Sequence, residues 1–421
     1  MPQYSRPKGT QDILPEDQSF WEHLLSTVAD AARAHGFERI DTPMFESTEL
    51  FARGVGEGTD IVDKEMYTFK DKGDRDIALR PEFTAGVVRA YIENGMQVLP
   101  KPVKLYSTGP AFRYEEPQAG RYRQFHQFNA EILGIAGPLA DLEVMLLAWD
   151  IFESLGFQNL AFQLNSTGCP RCRPAYIEAL QAHYRAHGEA ICDDCRRRIT
   201  QNPLRVLDCK QPQCQPVIAS APKITDMLCE ECAQHFAELR AYLDGLDKPY
   251  TLNHRLVRGL DYYTKTVFEV WAEGIGAQSA VCGGGRYDGL AELLGGPSTP
   301  AVGFASGMER IVLVMKAQGV QVPALPSPPI YVVHLGDASR LYAVKLLVVL
   351  REAGLAAQIS MGGSLRAQLR HADKRGAKLT LIVGEDELNR GEITLRDMGS
   401  GEQTPVAIGR VVEALRERLG H

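Results

Sequence analysis

The residues best suited to chemistry lie in one short run, 256–270, where an arginine and two tyrosines stand close together. Arg258, Tyr262 and Tyr263 precede β-branched and aromatic residues that predict a strand. An arginine presents a planar fork of donors to phosphate or carboxylate, and a tyrosine offers a flat apolar wall ending in a hydroxyl. Gly259 allows a close backbone approach. The run predicts a pocket for a small polar molecule beside an anion, with the edge of an ordinary core as the alternative.

A second set of polar residues falls on one predicted strand, 123–132. Side chains alternate between the two faces of a strand, so Gln127, Asn129 and Glu131 share a face. Burying amide and carboxylate groups without partners is costly. The set therefore predicts the lining of a polar pocket.

Two predicted helix starts carry charged residues. Glu82 is predicted to lie in the first turn of an apolar helix, where it either complements the helix dipole or accepts a substrate ammonium group. Arg310 follows a glycine-punctuated strand and lies in the first turn of another apolar helix, where a cation requires an anion. The glycines 283–285 could cradle a phosphate, although such a run alone is a weak signal, and the sequence has no phosphate-binding G-x-x-x-x-G-K-S/T loop.

Eight of the nine cysteines lie between residues 168 and 246 in closely spaced pairs. Disulfides are not the default in a reducing cytosol, whereas four thiolates satisfy tetrahedral zinc, so eight could hold two ions. The alternative is a set of reduced cysteines without metal. Cys282, outside this segment, is expected only to fill space. The candidate structural zinc ligands are Cys169, Cys172, Cys192, Cys195, Cys209, Cys214, Cys229 and Cys232.

Length and composition set broad bounds. A chain of 421 residues with 44% hydrophobic and 24% charged residues predicts two or three globular domains. Because no apolar run reaches membrane-spanning length and the N-terminus lacks a signal core, we expect a cytoplasmic protein without a membrane partner. A net charge of −7 argues against a generic polyanion binder, and no DNA partner is expected.

Periodicity predicts the organisation around these residues. Helical patterns cover 19–35, 138–157, 174–187 and 220–236. A proline-rich linker then precedes alternating strands and helices, which indicate a separate α/β domain.

Several stretches resemble the histidyl-tRNA synthetases. LVRGLDYYTKTVFEV at 256–270 and GGGRYDGL at 283–290 resemble that family's two histidine signatures. The segments HGFERIDTPMFESTELFARGVG, FRYE with its basic loop, and GFASGMER at 303–310 are similar to motifs 1, 2 and 3 of class II synthetases. Position 83 is usually small in the family, and Phe83 departs from that pattern.

The resemblance implies an α+β fold: a class II core with an antiparallel sheet flanked by helices, an insertion domain and a C-terminal α/β anticodon-binding domain. It divides the chain into a first core part (1–167), a cysteine-rich insertion (168–246), a second core part (247–322), a linker (323–329) and an anticodon-binding domain (330–421). It further implies a homodimer assembled through motif 1.

The activity implied is ligation of L-histidine to tRNA(His) through a histidyl-adenylate, with Mg²⁺ accompanying ATP. Arg258 and Arg113 match the family's catalytic arginines at the α-phosphate. The implied ATP-binding residues are Arg113, Glu115, Arg258 and Arg310. The implied histidine-binding residues are Glu82, Phe83, Thr84, Gln127, Glu131, Tyr262, Tyr263 and Tyr287.

Rival interpretations explain less of the chain. The synthetase-like regulatory subunit of ATP phosphoribosyltransferase lacks the anticodon-binding domain and usually loses parts of these signatures. Prolyl, threonyl or glycyl enzymes would share the class II motifs but not RGLDYY at 258–263. A zinc-ribbon or metal-sensing protein would account only for the insertion.

Overall fold

The computed structural model describes residues 4–56, 59–118, 120–273 and 280–420. The chain divides into two compact units, Met1–Pro323 and Ala324–His421. Within the described residues, every helix is too short or too polar to cross a bilayer.

The first unit begins with helices and strands close to the predicted positions. The helix predicted over 19–35 is Gln18–Ala34, and the strand predicted over 123–132 is Gln124–Leu133. The elements up to the insertion are α1 Gln18–Ala34, β1 Glu38–Arg39, β2 Phe45–Ser47, α2 Thr48–Val55, β3 Thr68–Lys70, β4 Asp76–Leu79, α3 Thr84–Glu93, β5 Val103–Phe112, β6 Gln124–Leu133, α4 Pro138–Ser154 and β7 Ala161–Ser166.

The insertion is largely helical, but one predicted helix is wrong in its bounds. Residues 220–229, expected to be helical, form turns and a short 3₁₀ segment instead, and the helix begins only at Glu230. Pro222 removes a backbone donor, and Cys229 occupies the N-cap position. The helices are α5 Arg173–Ala186, α6 Asp193–Gln201, α7 Gln215–Ala219 and α8 Glu230–Gly245.

After the insertion the chain returns to the core as β8 Tyr250–Leu252, β9 Thr264–Trp271, β10 Ala280–Arg286, α9 Leu290–Leu293, β11 Ala301–Gly307 and α10 Met308–Ala317. The described strands of the main sheet run in the order β1-β5-β6-β11-β10-β9-β7-β8. Its pairs are antiparallel except for the edge pairs β1/β5 and β7/β8. The predicted antiparallel core is confirmed.

One apolar core backs this sheet. α4 is apolar nearly all round and is buried against the sheet, as expected for a helix with neighbours on several sides. Phe128 of β6 and Phe304 of β11 meet edge to face at 5.7 Å, a favourable arrangement of aromatic rings. With this layer on one face, Gln127, Asn129 and Glu131 of β6 and Glu269 of β9 line the opposite face, where β11 presents only small residues.

The second unit has the predicted alternation of strands and helices: β12 Ile330–Leu335, α11 Asp337–Glu352, β13 Ala357–Ile359, α12 Leu365–Lys374, β14 Leu379–Gly384, α13 Glu385–Asn389, β15 Glu392–Asp397, β16 Gln403–Ala407 and α14 Val411–Leu419. In the described part its sheet has the order β13-β12-β14-β15-β16. The first three strands are parallel and the last two antiparallel.

Candidate active site

Glu131 lies at the centre of the described site, on β6 and only 1% exposed. Its carboxylate accepts hydrogen bonds from the Thr84 hydroxyl at 2.7 Å and from the Tyr287 hydroxyl. Gly303 lies opposite Glu131 on β11. A Cβ at Gly303 would lie 1.6 Å from Glu131 Oε2, so only glycine leaves room for the carboxylate there.

Three tyrosines form the wall beside this carboxylate. Tyr263 and Tyr287 are buried, and Tyr262 lies between them with ring centroids 4.8 and 5.5 Å away, respectively. Tyrosine rings pack as apolar surface while their hydroxyls still need polar partners. The predicted readers from β6, the run 256–270 and GGGRYDGL therefore meet in one place.

Glu82 precedes α3 rather than lying within it as predicted, because the helix begins at Thr84. The Glu82 carboxylate accepts the backbone N–H groups of Thr84 at 2.6 Å and Ala85 at 2.9 Å. Burial raises its pKa. The side chain thus satisfies a helix N-terminus and also places a carboxyl group near Glu131. The Phe83 ring lies 3.9 Å from the Arg80 guanidinium.

The buried environment of Glu131 raises the pKa of its carboxyl group. Burial raises its pKa to about 8, because hydrogen bonds from Tyr287 and Thr84 only partly offset the loss of water and the nearby Glu82 disfavours a second charge. A pocket with a buried carboxyl group of raised pKa is suited to a ligand that brings N–H donors or a positive charge.

We expect Glu131 to make the ligand-free protein less stable as pH rises. Between pH 4.5 and about 8 the unfolded Glu131 ionises while the folded one holds its proton, so stability falls through this window. Glu131→Gln removes that dependence. Calorimetric melting should show Tm of the variant rising relative to wild type from pH 5 to pH 8; a pH-independent difference would contradict the assignment.

A cavity of about 280 Å³ adjoins the polar pocket and collects positive charge. Arg113, Arg121, Arg258 and Arg310 line it, together with the carboxylates of Glu115 and Glu269. Arg113 Nε donates to the Pro81 carbonyl at 2.8 Å. Four guanidinium groups around one cavity are suited to a polyphosphate.

Arg258 is held over the sheet by Glu269, which sequence analysis did not single out. Arg258 Nη1 donates to Glu269 Oε1 at 2.6 Å, and Trp271 Nε1 donates to Glu269 Oε2 at 2.9 Å. Burial alone would lower the pKa of Arg258, but Tyr263 and Glu269 outweigh it and raise it. The sequence signal that could have identified Glu269 is its position as an acidic residue within the apolar pattern of β9.

The glycines 283–285, which could cradle a phosphate, do not form a glycine-rich loop, although Gly283 lines the arginine cavity. They lie within strand β10 rather than in a loop. A Cβ at Gly283 would lie 2.4 Å from Arg258 Nη1, and one at Gly285 would lie 2.9 Å from the Tyr263 ring. These glycines leave space for the arginine and tyrosine side chains of the site.

The eight insertion cysteines form two groups of four, and within each group the sulfur atoms lie within 4.8 Å of one another. We call Cys169, Cys172, Cys229 and Cys232 the neck cluster, and Cys192, Cys195, Cys209 and Cys214 the lobe cluster. Four zinc-bound thiolates at about 2.3 Å from the ion stand about 3.8 Å apart. Observed Sγ–Sγ distances are 3.7 and 3.8 Å in the neck cluster and 3.9 Å for two pairs in the lobe cluster. The spacing fits zinc, and all eight thiols are free.

An antiparallel sheet with arginines gathered at the end of one strand pair and at a helix start is typical of a class II aminoacyl-tRNA synthetase. The comparisons agree. The family model described as Histidyl-tRNA synthetase matches residues 9–191 and 206–311, and the one described as Anticodon binding domain matches residues 329–418.

Individual relatives match along the whole chain. The histidine–tRNA ligase of Desulforamulus reducens is 49% identical over 415 residues, covering 98% of this chain and 99% of the relative. That of Desulfitobacterium hafniense is 51% identical, covering 98% of each. The crystal structure of apo S. aureus histidyl-tRNA synthetase matches with a TM-score of 0.82 and 41% identity, covering 98% of this chain and 99% of that one.

The chain belongs to the histidyl-tRNA synthetase family, and it is a histidine–tRNA ligase. A structure titled as an ATP phosphoribosyltransferase regulatory subunit/histidyl-tRNA synthetase, from Bacillus halodurans, shares 19% identity at a TM-score of 0.61. That likeness shows the fold alone, and the regulatory-subunit alternative is less supported than the ligase.

Proposed function

We propose that the pocket around Glu131 reads the imidazole of histidine while the adjoining arginine-lined cavity holds ATP. The single observation that carries this proposal is the contiguity of the two: Gln127, on the same strand as Glu131, lines the cavity together with Arg258. A ring nitrogen that donates to Glu131 and one that meets the Tyr263 hydroxyl would both be satisfied. A rival side chain would leave these buried groups unpaired.

Glu82, Thr84 and Gln127 bind the amino-acid backbone groups of the substrate in this proposal. Gln127 is 8% exposed, and its Oε1 has no hydrogen-bond partner among the described residues. An unpaired buried oxygen on the same face of β6 as Glu131 suits a substrate ammonium group. Tyr262, Tyr287 and Phe83 complete the surroundings of this half of the site.

Activation requires only positioning and charge stabilisation from these residues. A histidine carboxylate oxygen bonds to the α-phosphorus, the bond to the bridging oxygen breaks, and pyrophosphate leaves with the electron pair. Arg113 and Arg258 stabilise the charge that develops on the α-phosphate, and Arg310 holds the γ-phosphate. The terminal ribose hydroxyl of the tRNA then takes the acyl group and AMP leaves.

The family uses ATP with Mg²⁺, and the residues present fit that ion. Glu115 places its carboxylate oxygens in the same cavity as the arginines. Oxygen ligands alongside substrate phosphates are what Mg²⁺ prefers. Glu115 would hold the ion, which would neutralise the charge of the outer phosphates, while Glu269 stays paired with Arg258.

The amino-acid specificity can be tested by ATP–pyrophosphate exchange, with each of the twenty amino acids offered separately. We expect exchange with histidine alone. Exchange with another amino acid would overturn the assignment of the pocket, and the absence of any exchange would overturn the assignment of the arginine cavity.

The neck and lobe clusters hold two structural zinc ions in this proposal. We expect purified protein to contain two zinc ions per chain, and chelation to lower Tm because the binding free energy of the metal contributes to folding. Metal analysis and melting check both. Cys282→Ser, which alters the ninth cysteine, should keep two ions; a metal-free wild type with an unchanged Tm would contradict the proposal.

The domain assignment follows the same family pattern. Residues 1–167 and 247–322 form the catalytic core, 168–246 the insertion, 323–329 the linker and 330–421 the anticodon-binding domain for tRNA(His). Because the protein synthesis that uses ATP and tRNA takes place in the cytoplasm, we expect the enzyme to work there. Cell fractionation tests this location.

Motif 1 supplies the interface of a homodimer in this proposal. Met44 and Phe45 at the start of β2, and Phe69 on β3 of the same small sheet β2-β4-β3, are exposed at 51%, 59% and 48%, respectively. Clustered exposed apolar side chains are typical of interaction surfaces. Sedimentation equilibrium should give twice the 46.5 kDa mass of the chain, and a monomer would refute it.

A further inference from the structure

The neck cluster lies where the insertion leaves and rejoins the catalytic sheet. Cys169 and Cys172 follow directly after β7, whereas Cys229 is the N-cap of α8 and Cys232 lies in its first turn. A single ion bound by all four would therefore join the two ends of the insertion to each other and to the end of β7.

Arg173 connects the first half of the neck cluster to the tyrosine wall. It follows Cys172 and begins α5. Its Nε donates to the Thr167 carbonyl at 2.9 Å, and its Nη2 donates to the Thr167 hydroxyl at 3.0 Å and to the backbone carbonyl of Tyr263. The rigid fork of a guanidinium fixes the direction of these bonds, so the position of Cys172 sets that of the Tyr263 backbone.

Lys265, two residues after Tyr263, contacts both halves of the neck cluster. Its N–H donates to the Gly168 carbonyl at 2.7 Å, and its Nζ donates at 3.0 Å to Glu231, which lies between Cys229 and Cys232. Lys265 has φ +51°, a left-handed conformation uncommon for a non-glycine residue. Such a conformation persists only where its surroundings hold it.

α8 makes a third connection through His235, which is 6% exposed. The His235 Nε2 lies 3.3 Å from Asp141 Oδ1 and 3.2 Å from the Thr266 hydroxyl. Asp141 is in turn ion-paired with the fully buried Arg286, the residue before Tyr287. The turn of α8 that carries Cys232 is therefore linked to the Tyr287 side of the pocket.

We infer that the metal of the neck cluster positions the histidine pocket, whereas the metal of the lobe cluster stabilises only the insertion. The inference rests on the proposed zinc sites and on the proposed histidine pocket. The lobe cluster belongs to a separate apolar core made by insertion residues such as Tyr176, Tyr184 and Ile191. Its links to the segment before the tyrosines are side-chain contacts: Asn202 with Asp261 at 3.3 Å, Arg255 with Gln215 at 2.9 Å, and Val257 packed against that core.

The test compares Cys229→Ser in the neck cluster with its matched control, Cys209→Ser in the lobe cluster, in the full-length enzyme. Zinc content, the Kd for histidine from calorimetry, and the KM for ATP are measured for each. We expect one zinc per chain in both variants. Cys229→Ser should weaken histidine binding about tenfold or more while KM for ATP changes little, because small displacements of positioning groups are costly. Cys209→Ser should bind histidine almost as tightly as wild type.

Arg173→Gln removes the guanidinium that bonds to Thr167 and to the Tyr263 carbonyl but leaves all four neck-cluster cysteines in place. It should keep two zinc ions and still raise the Kd for histidine, and it decides the matter if Cys229→Ser fails to fold. An unchanged histidine Kd in Arg173→Gln with two zinc ions, or in Cys229→Ser with one, would overturn the positioning role and leave the zinc sites standing. A wild-type enzyme without zinc would overturn the zinc sites themselves.

Discussion

Glu131→Ala will abolish histidine activation, with kcat/KM for histidine in pyrophosphate exchange reduced at least about a thousandfold. The wild-type carboxylate accepts from Thr84 and Tyr287 in a buried setting, and the substrate imidazole needs the same acceptor. Alanine removes that acceptor and leaves buried donors without a partner, which costs more than the loss of an exposed contact. Exchange kinetics with histidine, at saturating ATP, provide the measurement.

Glu143→Ala is the matched control for this loss. Glu143 lies on α4 in the same unit, 30% exposed and ion-paired with Lys104 at 2.8 Å, on the other side of the sheet from the pocket. Removing its carboxylate should leave the histidine dependence of exchange close to wild type. Circular dichroism establishes that both variants are folded, and near-normal exchange by a folded Glu131→Ala would refute the role given to Glu131.

Arg258→Ala is expected to lower kcat for adenylate formation about a thousandfold, with a much smaller change in histidine affinity. A preorganised donor aimed at developing charge typically contributes this much in the transition state. Arg258→Lys should recover only a small part, because an ammonium group keeps the charge but not the planar fork. Single-turnover formation of adenylate separates this chemical step from binding.

The ion partner of Arg258 complicates the single substitution, since it leaves the Glu269 carboxylate without its counter-charge. The double variant Arg258→Met/Glu269→Gln removes both charges and restores local neutrality. If the arginine acts on the α-phosphate, the double variant stays as inactive as the single one. Recovery of adenylate formation in the double variant would show instead that the unpaired Glu269 caused the defect.

The site could be assembled from sequence to the extent that its parts are contiguous. The run 256–270 contains its arginine, its tyrosines and its strand within one segment, and the alternation of Gln127, Asn129 and Glu131 is a property of a single strand. The segment 220–229 shows the limit of such local inference. Its helical pattern is overridden by Pro222 and by the need to bring Cys229 into the neck cluster.

The sequence by itself determined the family, most of the predicted strands and helices, and the candidate reactive residues, because each depends on spacing within a short segment. Only the tertiary structure decided which cysteines group together, since four sequence pairs can combine into two groups of four in several ways. It also decided that Gly303 makes room for Glu131, that Gly283 makes room for Arg258, and that Glu269 holds that arginine. These relations join residues on different strands, and the register and approach of separate strands are set by packing of the whole sheet rather than by local pattern.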